Sequence, residues 1–184
     1  MENAGEELAG NYLRWVLDCD FVEYNLNTKA VQGEIDVVGV NLGKKLVYVC
    51  EVATHLETGL QYTKNAQPDN VDRFLKKFEK DIKYANEFFR DYTKIFMLWS
   101  PIVKDTKEGS KHNQMRDLKE IQNNLNEKFQ VNLELIINEK FMNCLQELRD
   151  VAREKTQAMP TTVMRFLQID EKTKAHVKKI TKEN

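Results

Sequence analysis

Two acidic residues stand inside apolar runs where a carboxylate is costly. The runs are Gly33-Glu34-Ile35-Asp36-Val37-Val38-Gly39-Val40 and Lys45-Leu46-Val47-Tyr48-Val49-Cys50-Glu51-Val52-Ala53-Thr54-His55. The break between them, Asn41-Leu42-Gly43-Lys44, makes the pair read as a β-hairpin. Such Val- and Ile-rich runs suit the middle of a sheet that is covered on both faces. A lone carboxylate among them is expensive to desolvate, and two on adjoining strands repel each other. A divalent cation answers both difficulties, because hard cations take carboxylate oxygens. Asp36 and Glu51 are therefore predicted to hold Mg²⁺, or Mn²⁺, together. If either group ends its strand in water, no cation is needed. Alternation puts Glu34 on the face of Asp36, and Ala53 and His55 on the face of Glu51.

The order Gly33-Glu34-Ile35-Asp36, hairpin, apolar strand, Glu51-Val52 resembles the PD-(D/E)XK nuclease superfamily. The nearest likeness is to archaeal Holliday-junction resolvases and small bacterial resolvase-like proteins, over roughly the first half of the chain. The resemblance implies a three-layer α/β/α restriction-endonuclease-like fold whose mixed central sheet has about five strands. It implies Mg²⁺-dependent hydrolysis of phosphodiester bonds in DNA. Asp36 and Glu51 take its metal-binding positions, with the Val52 carbonyl as a third ligand. The motif lysine two residues after the glutamate is Ala53 here. His55, Lys64, or Lys76 and Lys77 on the following helix are candidates to replace it. The departure at Ala53 supports a second reading, a catalytically silent family member that binds nucleic acid or a protein. A homodimer is also implied by the resemblance alone.

Other residues carry two readings each. Glu6 and Glu7 fall in the first turn of a predicted helix from Asn3 to about Leu17, where carboxylates complement the helix dipole. The resemblance instead gives Glu6 a catalytic role near the metal. His55 is either a polar side chain at a strand end or a group that orients the attacking water. Arg73, Lys76 and Lys77 lie in a charged row on a strongly amphipathic helix, Asn70 to about Arg90. Such rows are usually solvated faces; with Lys64 they are also the candidates for phosphate contact. Glu79 and Asp81 partly balance that row.

Composition sets wider bounds. The chain has 184 residues, 41% hydrophobic, with a net charge of −1. That suits one domain with an appendage, read as 1–156 plus a basic helical extension, 157–184. Residues 1–60 hold ten acidic and four basic side chains, whereas 172–184 hold five Lys and one Glu. The tail is either an arm that packs on the domain or a second copy, or a DNA contact. Cys19, Cys50 and Cys144 are spaced too widely for a zinc knuckle and read as buried apolar residues. No membrane-length apolar run occurs, and the protein is read as cytoplasmic.

The remaining elements follow from period and punctuation. Phe21–Tyr24 reads as a strand and the stretch from Ala53 to Lys64 as a polar exit from the sheet. Lys94–Trp99 is a buried strand, His112–Lys128 a helix, Val131–Ile137 a strand and Asn138–Lys155 a helix. Strand then helix, twice over, predicts a parallel pair beside the hairpin.

Overall fold

The computed structural model describes residues 3–27, 33–107 and 109–183. Residues 28–32, before the central hairpin, lie outside them. In chain order the elements are α1 (Ala4–Trp15), β1 (Phe21–Asn27), β2 (Glu34–Asn41), β3 (Leu46–Val52), β4 (Thr63–Lys64) and β5 (Gln67–Pro68). There follow α2 (Asn70–Phe88), β6 (Thr93–Ser100), α3 (Gln114–Phe129), β7 (Glu134–Ile137), α4 (Asn138–Glu154) and α5 (Thr162–Glu183). The protein is α/β, with one mixed sheet in the order β1-β2-β3-β6-β7. The hairpin strands β1, β2 and β3 pair antiparallel, while β3, β6 and β7 run parallel. Each parallel step is bridged by a helix, the crossover that such pairing requires.

Alternation on β3 divides the interior in two. Val47, Val49 and Ala53 pack in one core with Phe74 and Phe78 of α2 and Leu118, Ile121 and Leu125 of α3. Tyr48 and Cys50 belong to the other, with Ala9 and Leu13 of α1 and Phe141 and Cys144 of α4. Helices therefore cover both faces, which is why β2 and β3 are apolar at nearly every position. All three cysteines are buried and unpaired, as their apolar settings suggest.

α1 starts at a capping box. The Asn3 side chain accepts from the Gly5 and Glu6 amides, and the Glu6 carboxylate accepts from the Asn3 backbone. Two glycines let this helix lie close to the sheet. A Cβ on Gly10 would come 2.2 Å from the Tyr24 hydroxyl, and one on Gly5 would come 2.1 Å from Thr54 Cγ2.

One stretch differs from its sequence reading. The polar exit after β3 contains a small hairpin, β4–β5, whose turn residues Asn65 and Ala66 both have positive φ, 50° and 59°. Alanine at such a position gives no turn signal, which is why composition alone did not reveal it. The C-terminal extension, read as basic and helical, holds one 22-residue helix, α5. Its first half is built into the domain. Met164 and Leu167 form a third core with Leu148 and Ala152 of α4, flanked by Tyr12 and Trp15 of α1. Glu7 Oε1 accepts from the Val163 amide at 2.7 Å, so this carboxylate caps α5 while lying in the first turn of α1. Among the described residues no helix is long and apolar enough to cross a membrane.

Candidate active site

The odd-numbered face of β3 that carries Val47 and Val49 also carries Glu51, which is wholly buried and meets α2. The paired register of β2 with β3 runs from Asn41↔Leu46 to Val37↔Cys50. One step further a side chain takes over from the backbone: Asp36 Oδ2 accepts from the Val52 amide at 2.8 Å. That bond fixes the Asp36 carboxylate against β3 beside Glu51. From α2, Lys77 Nζ donates to Glu51 Oε2 and stands 3.5 Å from Asp36 Oδ2. The two carboxylates, from neighbouring strands, thus converge on one ammonium group.

A further carboxyl lies behind them. Asp81, one helical turn after Lys77, is wholly buried and within hydrogen-bonding reach of Glu51. Two carboxyl groups can bond only if one carries a proton. Otherwise no well-aligned hydrogen bond reaches Glu51 Oε1 or either Asp81 oxygen among the described residues, and Asp81 Oδ1 has an ion pair alone. Lys80 Nζ is 3.3 Å from Asp81 Oδ1 and donates to the Glu34 carbonyl. Burial, then the negative charges of Asp36 and Asp81, pushes the Glu51 carboxyl well above the usual range, with Lys77 opposing. Burial also raises Asp81, against the Glu51 hydrogen bond and the two lysines. For Lys77, burial acts to lower the value, but Glu51 and Asp36 outweigh it and the ammonium form is held above the usual lysine range.

The cluster opens to the surface. Gly33, Glu34, Asp36, Lys76, Lys77 and Lys80 line a cleft. Its chemistry is mixed: carboxylate oxygens that suit a hard cation, and three lysines that suit an anion.

The other sequence-selected residues stand apart. Glu6 is buried and bonds to Asn3, and its Oε2 accepts from Asn25 Nδ2 at 3.2 Å. Asn25, with φ of 48°, falls between the paired residues Tyr24↔Val37 and Leu26↔Ile35, on the strand next to Asp36. His55 Nε2 meets the Tyr62 hydroxyl at 3.1 Å, and their rings pack edge to face. Arg73 covers the Tyr62 ring, 4.3 Å from its centroid. His55 and Arg73 are therefore joined through Tyr62 and not to Asp36 or Glu51. Lys64 is exposed on β4. Ala53 is buried in the core. Lys77, a candidate in sequence both for phosphate contact and for the motif lysine, is drawn inward to the carboxylates. Asp81 and Lys80 were not singled out, and Asp81 is not on a solvated face. The signal for Asp81 was present: it follows Phe74 by seven residues, two turns of α2, and so continues the apolar stripe.

Asp36 and Glu51 fit a Mg²⁺ or Mn²⁺ ion in chemistry: Asp36 lines the cleft, and Glu51, buried behind it on the next strand, bears an oxygen with no donor among the described residues. Among the described residues no group of three or more His, Cys, Asp or Glu side chains forms a metal site by itself. A cation there would be held by two carboxylates with backbone and water, the usual manner for Mg²⁺. No protein-family model, curated protein or solved structure matches the chain.

Proposed function

We propose that this chain is a Mg²⁺-dependent nuclease with a restriction-endonuclease-like fold, hydrolysing phosphodiester bonds in DNA. One observation carries the reading: carboxylates from β2 and β3 and a lysine from α2 meet at the wall of a lysine-lined cleft. Asp36, Glu51 and the Val52 carbonyl would hold the cation. Bound there, the cation supplies charge stabilisation at the phosphate and a lower pKa for a coordinated water. The Val52 amide keeps the Asp36 carboxylate aimed at the cleft. Lys77 takes the role of the motif lysine from a different element, donating to the attacking water or to a phosphate oxygen. Lys76 and Lys80 hold the flanking phosphates of the strand. Glu6 is a positioning residue, holding Asn25 of β1 beside the site strand β2.

A second reading rests on a specific feature. Lys77 already neutralises part of the carboxylate charge, so the cluster is stable without a dication, and Ala53 leaves the motif incomplete. On that reading the cleft binds nucleic acid or a protein and cuts nothing. Incubation with branched, single-stranded and duplex DNA in Mg²⁺ or Mn²⁺ decides between them. Cutting by the wild type that disappears in Asp36→Ala and falls at least about a hundredfold in Lys77→Met supports the nuclease. Metal-independent binding with no cutting supports the second reading.

A further inference from the structure

We propose that the outer face of α5 pairs antiparallel with α5 of a second copy of this chain, about a two-fold axis at Thr173. The inner face of this helix is accounted for by the third core. The outer face is not polar. Phe166, Ile169, Val177 and Ile180 are 67%, 53%, 51% and 46% exposed. With Thr173 between them they follow one another at intervals of three, four, four and three residues. On a helix of 3.6 residues per turn these five positions fall on one narrow stripe.

The spacing reads the same in both directions, and that selects the occupant. A face that pairs with itself about a two-fold axis must be self-complementary. Reversing the stripe lays Phe166 over the partner copy's equivalent of Ile180, Ile169 over that of Val177, and Thr173 over itself. The end of the stripe nearest the domain is also concave. Met159, Pro160, Arg165, Phe166 and Ile169 line a mainly apolar cleft there, into which the far end of the other helix would fit. Charge chooses the antiparallel sense over the parallel one. Lys172, Lys174, Lys178 and Lys179 crowd the far half of α5. A parallel pair would set these rows side by side, and an antiparallel pair moves them to opposite ends.

The far half also needs a partner on energetic grounds. Every residue from Lys172 to Thr181 is exposed. Isolated helical segments this short are marginal in water, and Thr173, Val177, Ile180 and Thr181 are β-branched and modest helix formers. A second copy would cover the apolar side chains exposed along this half.

The proposal is independent of the nuclease reading, since α5 packs with α1 and α4 and the candidate site faces α2. Sedimentation of the full chain tests it. The wild type is expected at twice the 21.6 kDa of one chain. Ile169→Glu with Val177→Glu, both at exposed positions, is expected to halve that mass while the circular dichroism is unchanged. Orientation is read from two single variants, Phe166→Cys and Ile180→Cys, mixed and oxidised; the native thiols are buried and do not compete. A disulfide between the two variants, in excess over either with itself, is the expected product. A monomeric wild type, a dimer that survives both glutamates, or exclusive self-pairing of each cysteine variant would each overturn the proposal.

Discussion

Asp36 gives one carboxylate oxygen to the Val52 amide, and this small arrangement does two jobs. It closes the β2–β3 ladder where backbone pairing stops, and it turns the carboxylate toward Lys77. Removing it in Asp36→Ala leaves a half-buried amide without its acceptor, a loss of about 1 kcal/mol that urea unfolding would register. Glu51 and Asp81 behave differently, because burial makes their charged forms unfavourable. A carboxyl raised on folding stabilises the folded state fully below its ordinary range and loses that contribution as pH climbs through the raised value. Stability is therefore expected to decline from mildly acidic pH upward. Lys77→Met should steepen the decline, since the ammonium offsets the two charges that appear. Thermal unfolding at pH 5 and pH 8 checks this: a Lys77→Met penalty equal at both values would contradict the role given to Lys77. Sequence spacing picked out Asp36 and Glu51 because acidic residues in Val-rich runs demand a reason. It leaves Lys77 as one of several candidate lysines beside them, because a lysine at the edge of a helical stripe is ordinary, and only the packing of α2 on β3 decides which one points inward.

At the scale of elements, α1 depends on the absence of side chains at Gly5 and Gly10. Alanine is the better helix former by about 1 kcal/mol, so Gly10→Ala would stabilise a solvent-facing helix. Here the added methyl meets the Tyr24 ring, and overpacking of about 1–3 kcal/mol should reverse the sign. A lower midpoint in denaturant is the expected result; a higher one would mean that α1 lies further from β1 than described. The strands and helices with strong period were legible in the chain: β2, β3, β6 and α2 fall close to where alternation and the Phe74–Phe78–Ile82 stripe put them. What escaped depends on contacts distant in sequence. α5 is anchored because its first half packs on Leu148 and Ala152. β7 begins at Glu134, after an apolar stretch that packs on the core without pairing. The β4–β5 turn uses an alanine in a conformation that alanine rarely adopts.

For the whole molecule, the two helical layers have separate duties. The layer of α2 and α3 bounds the charged cleft, and the layer of α1 and α4 carries α5. If a dication binds at Asp36 and Glu51, it links to folding by mass action, with about 2.7 kcal/mol gained at a hundredfold excess over Kd. Mn²⁺ is then expected to raise the melting temperature of the wild type and to leave Asp36→Ala unmoved. The shift should grow with pH, because Glu51 must release its proton to become a ligand. An identical shift in both proteins would place the ion elsewhere.

Cys50 sits on β3 next to Glu51, with no exposed surface, between the neighbours β2 and β6. Burial pushes its thiol far above the ordinary value, so it does not react while the strands remain together. An alkylating reagent must wait for β3 to come free. The rate at which it modifies Cys50 is thus a clock for rupture of the central strands, readable by mass spectrometry without any introduced label.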